Sequence, residues 1–114
     1  MALDRFITVL IGFWNADRAI LRGLDGLAML DSDFAKVLDG RAGRKREGLK
    51  VLLDRITKKH GRPRGRARTD VLDVLYTLTS FTVFDTLADE KRSADQVAAL
   101  VRRLARSAVG VTDG

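Results

Sequence analysis

The side chains that could carry out catalysis are few and scattered along this chain of 114 residues. The single histidine, His60, follows two lysines at a predicted helix end, where a positive charge suits the helix dipole. Asp31 and Asp33 stand at a predicted helix start, and a calcium loop would need several more oxygen ligands at set spacing. The absence of cysteine excludes disulfides, thiolate metal sites and a cysteine nucleophile. We therefore expect no enzyme, no metal site and no cofactor.

Small-molecule binding is a second kind of chemistry that the residue types allow. Large apolar side chains occur on four predicted helices, and hydroxyl groups lie along one of these helices. A mostly apolar wall with a few polar points is typical of a small-molecule pocket. The same residues also fit an ordinary core, in which threonine hydroxyls bond to their own helix. The candidate pocket residues are Phe6, Leu10, Phe13, Trp14, Leu24, Leu53, Tyr76, Thr79, Ser80 and Phe84.

Positive charge is concentrated in one central segment. Residues 41–68 carry a net charge of +10, whereas the stretches before and after them each carry −2. Within this segment, residues 62–67 read RPRGRA and resemble the AT-hook, a minor-groove DNA-binding motif, with Ala67 in place of its final proline. Arginines beside glycine can enter the narrow minor groove of A·T-rich DNA, although a solvated loop explains the segment equally simply. The candidate nucleic-acid contacts are Arg62, Arg64 and Arg66.

Apolar residues recur at helical spacing through most of the sequence, and no strand pattern interrupts them. We predict one all-α domain over residues 1–114, a five-helix bundle with residues 61–68 as a basic interhelical loop. A kink or turn is expected in the glycine-rich stretch of the third helix. The predicted helices span about residues 2–14, 15–30, 31–59, 70–88 and 93–108. The predicted N-caps are Asn15, either Asp31 or Ser32, Thr69, and Ser93 in a capping box with Gln96.

Two glycines, Gly23 and Gly26, lie inside the second predicted helix. Each costs roughly 1 kcal/mol relative to alanine in a helix interior. We expect them to allow close approach of a neighbouring helix, and the alternative is that they leave room for a bound molecule.

The last two predicted helices carry more apolar surface than a chain of this size easily hides. The helix over 70–88 is apolar around more than half of its circumference, and the helix over 93–108 has one apolar stripe. Either both pack into the core of one bundle, or a twofold axis joins two such pairs into a dimeric four-helix bundle. The dimer contact would then comprise Leu78, Phe81, Asp85, Val97, Leu100, Val101, Leu104 and Ala108.

A family resemblance rests on residues in these helices and upstream of them. They comprise Leu78-Thr79-Ser80-Phe81, Phe84-Asp85, Leu87, Ser93-Ala94-Asp95-Gln96-Val97 and Arg103-Leu104, and upstream Phe13-Trp14, Arg18, Leu21, Leu30-Asp31-Ser32-Asp33-Phe34-Ala35, Leu38, Arg41, Arg44 and Arg46. In order and spacing this series resembles the regulatory domain of TetR-type transcriptional regulators, over nearly the whole chain. Such regulators begin with a helix-turn-helix DNA-binding domain, and this sequence contains no counterpart of it.

The resemblance implies a homodimeric regulatory domain that encloses a small apolar or amphipathic effector. In such a repressor, the bound effector shifts the first helix, which passes the motion to the DNA-binding domains. DNA would then be bound only through an absent N-terminal domain, or weakly through the basic loop. We expect a fragment, a gene product with a misplaced start or a dimerising remnant. The competing interpretation is a small basic nucleic-acid-binding protein that acts through residues 41–68.

Composition and hydropathy suit a globular protein away from the membrane. The chain is 46% hydrophobic and 32% charged, and its longest apolar run, residues 6–14, is far shorter than a membrane span. Asp4 occupies the region that a signal peptide makes basic. We expect a cytoplasmic location.

Overall fold

The computed structural model describes residues 2–61, 67–88 and 91–110. Within these ranges every regular element is a helix, which confirms the all-α prediction. None of these helices combines the length and the apolar content needed to cross a bilayer. Arg62, Arg64 and Arg66 of the predicted DNA contact lie outside the described residues. The elements are α1 (Ala2–Ala16), α2 (Arg18–Leu30), α3 (Ser32–His60), α4 (Arg68–Leu78), α5 (Phe81–Leu87) and α6 (Ala94–Val109).

The core lies between α1, α4, α6 and the second half of α3, and the phenyl ring of α5 closes it. The buried residues of α1, α3, α4 and α6 lie on one face of each helix, because most of them recur at spacings of three or four residues. The core residues are Leu3, Ile7, Ile11, Leu49, Leu53, Ile56, Val71, Leu72, Leu75, Phe84, Ala88, Val97, Ala98, Val101, Ala105 and Val109.

Among the described helices, α1 and α6 make the most extensive contact with each other. At its edge the guanidinium group of Arg106 meets the Asp4 carboxylate through two nitrogens, Nε at 2.9 Å and Nη2 at 2.7 Å. One turn away, Arg102 donates a hydrogen bond of 2.7 Å to the Thr8 hydroxyl. A two-pronged arginine–carboxylate contact fixes orientation as well as distance, so it sets how α6 lies along α1.

The predicted helix over residues 70–88 is two helices, so the described chain has six helices rather than five. The helical hydrogen-bond pattern stops at Thr79 and Ser80. The Ser80 hydroxyl accepts a hydrogen bond from the Val83 N–H and thereby caps α5, while it donates to the Thr77 carbonyl at 2.8 Å. Side chains that bond to nearby backbone compete with helix continuation, and here that competition ends α4.

Two of the predicted N-caps are correct, and two are wrong. The Asp31 carboxylate accepts from the backbone N–H groups of Asp33 and Phe34, and Ser93 forms the capping box with Gln96. Asn15 instead lies inside α1, and Thr69 lies inside α4, which starts one residue earlier. The turn considered in the glycine-rich stretch is absent, since α3 continues as one helix of 29 residues.

Helix α2 is amphipathic, yet none of its residues is buried. It packs mainly along α3, and its apolar side chains Leu27, Met29 and Leu30 remain exposed. The expected close helix approach at Gly23 and Gly26 is wrong, because a Cβ atom added at either position would meet nothing within 4 Å. Among the described residues, these glycines therefore accommodate no neighbouring helix.

Gly26→Ala should stabilise the chain by about 0.5–1 kcal/mol, because alanine restricts the unfolded backbone and meets no obstacle in the folded helix. Gly61→Ala is the matched contrast, since Gly61 has a φ of 82° that disfavours any side chain. Urea denaturation followed by circular dichroism measures both. If Gly26→Ala were destabilising, a neighbour absent from a single chain would have to contact α2.

Candidate functional site

The break between α4 and α5 is where several predicted pocket residues meet. The indole Nε1 of Trp14, on α1, donates a hydrogen bond of 3.1 Å to the Thr79 carbonyl. The Trp14 ring meets Phe81 edge-on at 5.8 Å between centroids, and Phe81 lies 6.2 Å from Phe84. A carbonyl at a helix C-terminus has no partner within its helix, and a part-buried indole N–H needs an acceptor. Trp14 therefore satisfies both needs and ties α1 to the break.

The hydroxyl groups at this break are engaged with the local backbone. Thr79 is fully buried, and its hydroxyl donates to the Leu75 carbonyl at 2.7 Å. Ser80, as described above, uses its hydroxyl to end α4 and cap α5. These bonds match the arrangement expected of threonine in an ordinary core. Thr79 and Ser80 thus shape the break through their own backbone bonds.

A cation borders the break on the side of α3. The Lys45 ammonium group lies 4.7 Å from the centroid of the Tyr76 ring and donates a hydrogen bond of 3.4 Å to the Tyr76 carbonyl. The Arg46 guanidinium group lies 5.6 Å from the same ring and also pairs with Asp73. Burial lowers the pKa of Lys45 to about 8. Sequence reasoning missed Lys45, because only the packing of α3 on α4 distinguishes it from the other cations of residues 41–68.

Lys45→Met should change how stability depends on pH. The pKa of Lys45 is about 8 in the folded chain and near 10.5 when unfolded, so between these values the unfolded state binds more protons. Wild-type stability should therefore rise from pH 8 to 10.5, by about 1 kcal/mol after allowing for solvent screening, relative to Lys45→Met. Urea titrations across this range measure the difference. Lys50→Met, at the surface of the same helix, is the control, and an identical slope in wild type and Lys45→Met would contradict the prediction.

An ion cluster joins α2 to α5. Arg18 donates from Nε to the Asp85 carboxylate at 2.6 Å and from Nη2 to the Asp85 carbonyl at 3.1 Å. Arg22 donates to the same carboxylate at 2.9 Å. The hydrogen bonds from Arg22 and Arg18 hold the pKa of Asp85 below its usual value. The Asp85 carboxylate, predicted at the dimer contact, is therefore used inside the chain to hold α2 beside the break.

The remaining predicted pocket residues divide by burial. Leu53 and Phe84 belong to the close-packed core, and Phe13 is 62% exposed. The prediction that Phe13 lines the interior is wrong, because its position on α1 points away from the stripe of Leu3, Ile7 and Ile11. Partly buried positions are held by Phe6, Leu10, Trp14, Leu24 and Tyr76.

Two predicted dimer residues cannot meet a partner. Val97 and Val101 are fully buried by the chain's own helices, so no surface of these side chains remains for a second copy. The apolar stripe of the last helix was correctly found, but its centre faces inward. Phe81 packs against Trp14 and keeps part of its surface. Leu78, Leu100, Leu104 and Ala108 keep exposed surface as well.

The partly exposed residues of α4 and α6 lie on flanks of two helices that contact each other. Arg102 and Arg106 place one flank of α6 on α1, so the opposite flank, with Leu100 and Leu104, lies toward α4. Tyr76 likewise places one flank of α4 on α3, which turns the flank with Val74 and Leu78 toward α6. Val74 is 44% exposed and Leu104 42%. Helices α4 and α6 are in contact. We name the apolar residues of these two flanks, of which two are exposed and three partly buried, the seam patch: Val74, Leu78, Leu100, Leu104 and Ala108.

Sequence reasoning missed Val74, although its position four residues before Leu78 on one helix places both on the same face. An open depression of about 430 Å³ adjoins the seam patch at Leu100. Its other lining residues are Lys91, Arg92, Gln96 and Arg103. The rim of the seam patch is therefore basic at this end.

No three potential metal ligands converge among the residues that the structure describes. Every buried side-chain nitrogen or oxygen in that part of the chain has a hydrogen-bond partner. Comparison of the chain with protein-family models, with curated proteins and with solved structures finds no significant match.

Proposed function

We propose that this chain is a cytoplasmic effector-binding and dimerisation domain, similar to the regulatory half of a TetR-type repressor, with operator recognition carried by a separate domain. The observation that carries the proposal is the seam patch, an apolar surface left open along the last long helix. The proposed partner is a second copy of the chain, and the proposed effector is small and apolar or amphipathic.

The seam patch suits an isologous contact. Such a contact places the same surface on both sides of a twofold axis, so each leucine covers its symmetry-related neighbours. Fully burying an exposed leucine side chain contributes roughly 1.5–3 kcal/mol, and each of the three leucines of the patch would gain the share that corresponds to its remaining exposed surface. A polar rim beside an apolar centre is the usual anatomy of such an interface, and Lys91, Arg92, Gln96 and Arg103 supply it at one end of the patch.

The proposed effector site is the α4–α5 break with the adjoining α2. No residue of α2 is itself buried, so α2 can move without withdrawing any of its own side chains from the core. The Asp85 cluster and the α3 contact hold it in place. Displacing α2 would remove the Arg18 guanidinium group from the Phe84 ring, which lies beside Phe81 and, through Phe81, next to Trp14. Because Trp14 lies on α1, an effector seated there would also shift the first helix.

The double variant Leu100→Asp/Leu104→Asp should convert the proposed dimer to monomer. Carboxylates on an apolar twofold contact face like charges across the axis and lose water, which opposes association. Sedimentation velocity over a concentration series measures the mass, and circular dichroism checks that the helices persist. Met29→Asp is the control, since Met29 is 88% exposed and lies on α2. A folded double variant that sediments as the wild-type dimer, or a monomeric wild type, would exclude this interface.

Binding of the proposed effector can be followed by the fluorescence of Trp14. Trp14 is the only tryptophan in the chain and lies at the break. A bound apolar molecule should change its emission in a saturable way, with fatty acids and aromatic acids as the first probes. Asp85→Asn, which weakens the attachment of α2, should shift the ligand concentration at the midpoint of this emission titration. Saturable binding measured by calorimetry with no change at Trp14 would place the effector elsewhere.

A further inference from the structure

The outward face of α3 carries one basic stripe. Six residues recur at intervals of three or four and therefore share a face, and all six are exposed. The opposite face of the same helix is buried in the core through Leu49, Leu53 and Ile56. We name this surface the outer stripe: Arg41, Arg44, Gly48, Val51, Arg55 and Lys58. At 1.5 Å per residue it is about 26 Å long.

The four cations of the outer stripe have no carboxylate partner among the described residues. The acidic side chains on α3 near them are used elsewhere: Glu47 pairs with Lys50 at 3.1 Å, and Asp54 pairs with Arg68. Most surface helices intersperse both signs of charge, whereas this face carries one sign over about five turns. Its field therefore attracts a linear polyanion.

A glycine lies at the centre of the outer stripe. Gly48 costs roughly 1 kcal/mol relative to alanine inside a helix. A Cβ atom added there would meet nothing within 4 Å, so packing inside the chain does not explain the residue. On the outer face, a glycine lets a partner approach the helix backbone closely.

We propose that the outer stripe binds the phosphate backbone of duplex DNA, with Arg41 and Arg44 at one end and Arg55 and Lys58 at the other. An α-helix fits the major groove of B-form DNA, whereas the major groove of double-stranded RNA is too narrow. Anionic membranes fit less well, because a membrane-bound helix inserts an apolar face, and the apolar face of α3 is already in the core. This proposal does not depend on dimerisation, since the seam patch uses α4 and α6.

Fluorescence anisotropy of the full chain with a labelled duplex tests the proposal. Arg44→Gln/Arg55→Gln should weaken binding roughly 10- to 100-fold at 0.1 M salt and lower the slope of log K against log salt by about two. Both residues are exposed, and circular dichroism confirms folding. Lys36→Gln/Lys50→Gln is the control, with the same change of charge on other flanks of α3, and should keep most of the affinity.

Further variants separate charge from shape. Gly48→Leu retains every charge but projects a side chain from the outer stripe, and it should weaken binding several-fold, whereas Gly43→Leu on another flank should not. An equal loss of duplex affinity in Arg44→Gln/Arg55→Gln and in Lys36→Gln/Lys50→Gln would overturn the proposal. A wild-type chain that binds anionic vesicles but no duplex would overturn it as well. Unchanged binding in Arg44→Gln/Arg55→Gln would also overturn it, even if changing Arg62, Arg64 and Arg66 abolished binding.

Discussion

Phe84→Ala should destabilise the folded chain by about 3–5 kcal/mol, the range found when a buried aromatic ring is removed. Phe84 is fully buried and is the only buried residue within the seven-residue helix α5. A helix this short has little stability of its own, so its position depends on the side chain that anchors it. The ring also contacts Phe81 and lies 5.6 Å from the Arg18 guanidinium group.

The expected loss is a large share of the 5–15 kcal/mol that stabilises a typical domain. Urea denaturation followed at 222 nm measures it, with Phe13→Ala as the control, because Phe13 is 62% exposed on α1. Phe13→Ala should cost less than about 1 kcal/mol in the monomer. If both variants lost the same stability, α5 would not be anchored as described, and the α4–α5 break would need another explanation.

Local chemistry made much of the fold predictable. Asp31 and the Ser93–Gln96 pair act within three residues of themselves, so their caps can be read directly from sequence. The apolar stripes of α1 and α6 follow from helical spacing alone. The α4–α5 break was missed although Ser80 caps α5 within three residues, because Thr79 and Ser80 are equally compatible with a helix interior and the tertiary contact from Trp14 favours the interruption.

The candidate site was predictable in composition but not in arrangement. Trp14, Tyr76, Thr79 and Phe84 do gather around one feature, since large apolar residues at helical spacing converge in a bundle. Lys45 was missed because what distinguishes it from most other cations of its helix is its contact with the Tyr76 ring, which belongs to another helix. Periodicity also cannot tell whether an apolar stripe faces its own chain or a second copy.

Val101→Asp should unfold the chain, whereas Leu104→Asp should leave it folded, although both residues lie on the apolar side of α6. Val101 is fully buried, and Leu104 is 42% exposed. A carboxylate at position 101 would lose its hydration without gaining a cationic partner in the apolar core around it, a change that costs several kcal/mol. At position 104 the carboxylate can remain hydrated in the monomer.

Helix content by circular dichroism and the urea midpoint distinguish the two variants, and sedimentation then reports on the folded one. Val101→Thr is a milder companion to Val101→Asp: it keeps the shape, adds one hydroxyl group and should cost about 1–3 kcal/mol without unfolding. The comparison of Val101→Asp with Leu104→Asp is decisive because positions 101 and 104 are less than one helical turn apart. If Val101→Asp were a folded monomer, the centre of the α6 stripe would face a partner, and the seam patch would be only its margin.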